Sequence, residues 1–137
     1  MYNFKIYNSM ENKKVLFEPI DVNNIKVYAC GPTVYDFAHI GNARMAAVFD
    51  TLIRILRHLY PRVTYVSNIT DIDDKIIEKS RLEKLPIKDV TNKFSKIYNE
   101  DMEMLNVIKP DHQPKATQYV DKMIGAIKEL ENKGYAY

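Results

Sequence analysis

A single cysteine, Cys30, stands among the 137 residues. That excludes an intrachain disulfide and leaves a lone thiol suited to a reducing, cytoplasmic setting. No apolar run approaches the roughly 20 residues that span a bilayer, and residues 1–4 lack the basic-then-apolar layout of a signal peptide. The expectation is a soluble, cytoplasmic protein with no membrane partner. Charge of one sign is lacking too: 20 basic residues face 18 acidic ones, a net of +2, so no nucleic-acid surface follows from electrostatics. No internal repeat or low-complexity tract divides the chain. With 46% hydrophobic residues, its length suits one domain that buries roughly two thirds of its unfolded surface.

The pattern of elements is that of an α/β fold. Phe4, Ile6, Val15 and Phe17 flank a turn-prone stretch at 8–13 and predict a short β-hairpin or a pair of edge strands. The β-rich run I-K-V-Y-A-C, residues 25–30, predicts a strand stopped by Gly31 and Pro32. Residues 42–59 contain no internal glycine or proline, and their apolar positions cover most of a helix circumference, which predicts a largely buried helix. Pro61 stops it, and V-T-Y-V-S-N-I, residues 63–69, predicts a second strand. A helix between two strands is what a parallel βαβ unit requires. Short helices follow over 73–82 and 90–105, with Pro86 between them. The last helix, 116–132, carries Tyr119, Val120, Met123, Ile124, Ile127 and Leu130 on one stripe, expected to pack against a neighbour, and ends at Gly134.

Chemistry concentrates where the first predicted strand runs into the first helix, the edge at which open α/β sheets bind ligands. Residues 28–44 there read Y-A-C-G-P-T-V-Y-D-F-A-H-I-G-N-A-R. Gly41 permits close backbone approach, a helix starting near Asn42 offers N–H groups and a positive dipole end to phosphate, and His39 can donate to the same phosphate. Taken singly these residues read as a capped helix, with Asn42 as cap, and Cys30 as a small buried hydrophobe. Thr70, Asp71, Asp73 and Asp74 suit the cap and first turn of a helix. Arg62, Lys109, His112 and Lys115 read as solvated charges, and nothing at metal-ligand spacing accompanies His58 or His112.

Read jointly, Y-A-C-G-P-T-V-Y-D and H-I-G-N-A-R resemble the signature of cysteinyl-tRNA synthetases, a class I family. N-I-T-D-I-D-D-K-I-I (68–77), L-N-V-I-K-P-D and the closing K-G-Y-A-Y extend the resemblance over essentially the whole chain. One departure is Asn42, where the family's H-I-G-H form has a second histidine; it keeps a side-chain donor and loses a titratable imidazole.

The resemblance implies the first half of a Rossmann-like class I nucleotide-binding fold, a parallel sheet with flanking helices. Residues 1–137 would form the N-terminal half of the catalytic domain, as a single domain ending before the second half. It implies that cysteine is activated with ATP and magnesium and then passed to its tRNA. His39 and Asn42 are the implied catalytic residues. Pro32, Thr33, His39, Gly41 and Asn42 would bind ATP, with a His39 contact worth about 3 kcal/mol in comparable oxyanion sites. Cys30, Gly31, Thr70 and Asp71 would border the amino-acid pocket, Asp73 and Asp74 staying structural. Cys30 would also bind zinc, which separates thiolate from hydroxyl more strongly than packing can. The other zinc ligands are expected beyond Tyr137. The chain alone is expected to be inactive, and to self-associate through whatever face the second half would cover. Alternative readings are a nucleotidyltransferase with a similar His motif, a synthetase-derived cysteine ligase, and a standalone nucleotide-binding module without catalysis.

Overall fold

The computed structural model describes residues 4–137; residues 1–3, part of the N-terminal reading above, lie outside the described residues. The expected hairpin is present as β1, Lys5–Asn8, and β2, Lys13–Leu16, antiparallel with Lys5 opposite Leu16 and Asn8 opposite Lys13. Its flanking rings tie it to the body. Phe4 meets Phe17 edge-on at 5.8 Å, and Phe17 meets Tyr60 at 6.1 Å, the offset geometry that aromatic quadrupoles favour.

The centre is the predicted βαβ unit. Strand β3, Ile25–Ala29, pairs in parallel with β4, Val63–Ser67, from Ile25 opposite Val63 to Ala29 opposite Ser67. Helix α1, Ile40–Leu59, connects them. Ile25, Ala29, Ile53, Leu56, Val63 and Tyr65 form one core between this helix and the sheet. Only Ala46, Ile53 and Leu56 of α1 are buried, and Val48 and Ile55 stay 59% and 40% exposed. The largely buried helix expected from its apolar circumference is therefore corrected. Its buried side chains divide between the sheet core, through Ile53 and Leu56, and a second core against later helices, through Ala46, while Val48 and Ile55 face away from both.

A third track in the sheet escaped the sequence reading. Residues 111–116 run alongside β4 in parallel bridges, Val66 with His112 and Ile69 with Lys115. The amide of Ser67 donates to His112 O at 3.1 Å and that of Ile69 to Pro114 O at 2.9 Å. Pro110 and Pro114 hide this segment from any strand pattern, because each removes a ladder donor. The opposite edge, along β3, has no strand partner among the described residues.

Two carboxylates hold this third track to α1. Asp50 accepts from Arg54 Nε at 2.8 Å and from the Ile108 amide at 2.9 Å, while Arg54 Nη2 donates to Asn106 O at 2.9 Å. Asp111 accepts from the Tyr65 amide at 2.7 Å and from Arg57 at 3.1 Å. The Arg54 guanidinium holds the Asp50 carboxyl below the usual carboxylate range, against the opposing effect of burial and with help from the Ile108 amide. A depressed carboxylate stabilises above its unfolded pKa and loses that contribution as pH falls through the folded value. Asp50→Ala is therefore expected to cost about 2 kcal/mol near neutral pH. The difference from the unsubstituted chain should shrink below about pH 4, where the unfolded carboxylate titrates. Urea unfolding at both pH values measures it, and a pH-independent difference contradicts the pairing.

Helices α2, Asp74–Glu83, and α3, Ile87–Met104, pack together beyond β4. A second core gathers there from Val34, Ala46, Ile69, Val90, Phe94, Tyr98 and Met102. The last predicted helix divides into a 3₁₀ turn, Ala116–Tyr119, and α4, Val120–Asn132. Gly134, at φ 75°, takes the left-handed position after it: its amide donates to Glu131 O, and that of Tyr135 to Leu130 O, a Schellman ending. The expectation that this stripe packs against a neighbour is corrected. No residue of α4 is buried, and Val120, Met123, Ile124, Ile127 and Leu130 remain 39–51% exposed. No helix in the described residues is long and apolar enough to cross a membrane.

Candidate active site

The carboxyl ends of β3 and β4 lie side by side, and both chains continue the pairing past the strands. The Thr70 amide donates to Pro32 O at 2.9 Å, and the Val34 amide donates to Thr70 O at 3.2 Å. Gly31 is required by this closeness. A Cβ there would stand 1.6 Å from the Asn68 carbonyl oxygen, far inside contact distance. Pro32 and Val34 are buried beneath the loop, whereas Asp36, Phe37 and His39 at its far end are exposed.

The loop delivers the chain to α1 through His39. Its backbone is extended, at φ −99° and ψ 169°, and its Nδ1 accepts from the Gly41 amide at 2.9 Å. The Asn42 side chain answers through Oδ1, accepting from the His39 amide at 3.1 Å. This reciprocal pair is a capping box with an imidazole as the cap. The helix thus begins at Ile40, and His39 occupies the cap position expected of Asn42. Histidine ranks low as a cap, so the usual sequence signal was absent. A Cβ on Gly41 would meet His39 Cε1 at 2.5 Å and Nδ1 at 2.8 Å, so the glycine makes room for the ring.

The cap has two chemical consequences. With Nδ1 accepting from an amide, the neutral ring carries its proton on Nε2, which is left as a donor. The amides of Gly41, Asn42 and Ala43 are meanwhile engaged with His39 Nδ1 and His39 O. Side-chain donors, rather than those bare amides, are what this helix end presents to an anion.

His39 and Asn42 line a cleft of about 190 Å³ with Pro32, Thr33, Tyr35, Asp73 and Lys75, above Phe94 and Tyr98. Lys75 Nζ lies 5.3 Å from the centre of the Tyr35 ring, a cation–π distance. Lys75, within N-I-T-D-I-D-D-K, carries no functional signal in the sequence; only the fold brings it opposite the His39 loop. Asp73 caps α2, accepting from the Lys75 amide at 2.9 Å, in keeping with the structural role expected of it. At the outer rim Lys79 reaches Asp36 at 3.5 Å and Glu83 at 3.1 Å. Asp36 is held below the usual carboxylate range by the Phe37 amide above all, and by Lys79.

Of the residues read from the sequence, Pro32, Thr33, His39 and Asn42 line this cleft, and Cys30, Gly31, Gly41, Thr70 and Asp71 do not. Asp71 is 7% exposed and accepts from the Thr117 amide at 2.9 Å and from Thr117 Oγ1 at 2.7 Å. Both of its carboxylate oxygens thereby tie the end of β4 to the 3₁₀ turn. No local pattern signals this, because Thr117 lies far along the chain. Cys30 is exposed, its sulfur 3.8 Å from Gly31 O. Among the described residues no three His, Cys, Asp or Glu side chains group as a metal site, and a zinc ion needs about three protein ligands.

Residues 16–137 match the family described as tRNA synthetases class I (C) catalytic domain. Among curated relatives, the cysteine–tRNA ligase of Ehrlichia ruminantium (strain Gardel) is 54% identical over 132 residues, which is 96% of this chain and 29% of the relative. Those of Rhodospirillum centenum and Wolbachia pipientis subsp. Culex pipiens are 48% and 49% identical over 96% and 97% of the chain, again 29% of each relative. The chain thus spans under a third of the length of these relatives. On a match that runs from the second strand to the last residue, the chain belongs to the family of class I (C) tRNA synthetase catalytic domains.

Proposed function

We propose that this chain forms the ATP-facing wall and part of the amino-acid pocket of a cysteine-activating site. In the reaction a cysteine carboxylate oxygen bonds to the α-phosphorus of ATP, the bond from that phosphorus to the bridging oxygen breaks, and pyrophosphate leaves with the electron pair. The cysteinyl group then passes to tRNA. The observation that carries this reading is the His39 cap. Gly41 pins one ring nitrogen at 2.9 Å, and the other is left as a donor on a residue that lines the cleft. A preorganised donor of this kind stabilises charge that grows on phosphate oxygens without reorganising during the step. Asn42, with Oδ1 spent on the His39 amide, keeps its NH₂ for the same oxygens. No residue here is assigned to magnesium. Cys30, exposed at the end of β3, would serve as one zinc ligand, the others coming from outside this chain. The names of the relatives support cysteine and tRNA as substrates. A nucleotidyltransferase leaves Cys30 without a purpose, and no observation favours a standalone module.

The test splices this chain in place of the matching segment of the Ehrlichia ruminantium ligase and follows cysteine-dependent ATP–pyrophosphate exchange. His39→Ala is expected to lower kcat about 100-fold, the effect of removing one oxyanion donor. Equal activity with and without the imidazole overturns the reading.

A further inference from the structure

Resting on that reading of the pocket, we infer that Asn68 is a positioning residue that sets the Thr70 hydroxyl as a hydrogen-bond donor to the bound amino acid and fixes the peptide that follows Cys30. Asn68 bridges the two strand ends. Its Oδ1 accepts from the Gly31 amide at 2.9 Å, and its Nδ2 donates to Thr70 Oγ1 at 3.1 Å. The orientation of the side-chain amide follows from Gly31, since a backbone N–H can only donate and must face the oxygen. Thr70 Oγ1 is then an acceptor in this contact, and its own hydrogen is unspent. The backbone of Thr70 is held separately, its N–H by Pro32 O and its C=O by the Val34 amide. Asn68 therefore governs the one part of Thr70 that the sheet does not. The absence of a Cβ on Gly31 allows the approach, with the Asn68 carbonyl occupying the space a side chain would take.

Two substitutions separate the contacts. Asn68→Asp keeps an acceptor for the Gly31 amide but cannot donate to Thr70, so the carboxylate captures the hydroxyl hydrogen. Asn68→Ala removes both contacts. The probe is the non-hydrolysable adenylate analogue cysteinyl-sulfamoyl-adenosine, titrated into the 137-residue chain. Its Kd is expected to rise about tenfold in Asn68→Asp and in Thr70→Val, with no further rise in the double variant, because both remove the same donor. In the free chain, three-bond couplings should show one Thr70 χ1 rotamer, averaged in Asn68→Ala, while amide exchange at Gly31 stays slow in Asn68→Asp and quickens in Asn68→Ala. Additive losses, undiminished binding by Asn68→Asp, or an unaltered Thr70 rotamer in Asn68→Ala overturns the inference. Should the unsubstituted chain, which holds only part of the pocket, fail to bind the analogue, the same titration is read in the spliced ligase, where failure overturns the proposed pocket. The Thr70 rotamer in Asn68→Ala then decides by itself whether Asn68 positions the hydroxyl.

Discussion

Gly31→Ala is expected to destabilise the chain by about 4 kcal/mol or more, the range reserved for a few mechanisms such as forced backbone displacement. The new Cβ would lie 1.6 Å from the Asn68 carbonyl oxygen and 2.7 Å from its carbon. Both are backbone atoms, so no rotamer change relieves the clash. Parting the strand ends to admit the methyl also breaks the hydrogen bond from the Gly31 amide to Asn68 Oδ1 and strains the ladder from Thr70 to Pro32 and Val34. Since whole domains are stable by only about 5–15 kcal/mol, much of the stability would be lost. Urea unfolding followed by circular dichroism measures the shift. A midpoint close to that of the unsubstituted chain would mean that the strand ends are not held this tightly.

The second large effect is expected at Phe94, 2% exposed on α3 and edge-on to Phe37 at 5.5 Å. Phe94→Ala leaves a cavity beneath the cleft and should cost about 3–5 kcal/mol. It also removes the ring on which the outer loop rests, so nucleotide binding should weaken together with stability. Met104→Ala, at a side chain 79% exposed on the same helix, should change stability by under about 0.5 kcal/mol. Comparable losses from the two substitutions would show that the second core is not where it is placed here.

Both sites bear on how much of the molecule could be read beforehand. Strands β3 and β4 were plain because V-T-Y-V and I-K-V-Y carry β-branched and aromatic side chains between clear stops, and both paired in parallel as a βαβ unit requires. What was missed depends on partners distant in sequence. The track at 111–116 becomes a sheet edge only because Asp50, Arg54 and Arg57 of α1 hold its approach, and its prolines remove the propensity signal. The resemblance implies that Asp71 borders the amino-acid pocket, and the bonds its oxygens accept come from Thr117, which no local pattern indicates. At the helix start the sequence suggests Asn42 as the cap; His39 takes that position, and the Asn42 side chain accepts from its amide. His39 caps the helix through Nδ1, which accepts from the Gly41 amide in space that the missing Cβ of Gly41 leaves for the ring.

Whether the His39 end of α1 receives the phosphates of ATP is decided by a long-range ¹⁵N–¹H spectrum of the His39 ring while ATP and magnesium are added to the chain. The expected spectrum has the ring proton on Nε2 and Nδ1 unprotonated before addition, and shifts on addition that centre on Nε2 of His39, the Asn42 side chain and Thr33. A proton on Nδ1 in the free chain, or shifts that bypass these residues and gather along the exposed stripe of α4, would contradict it.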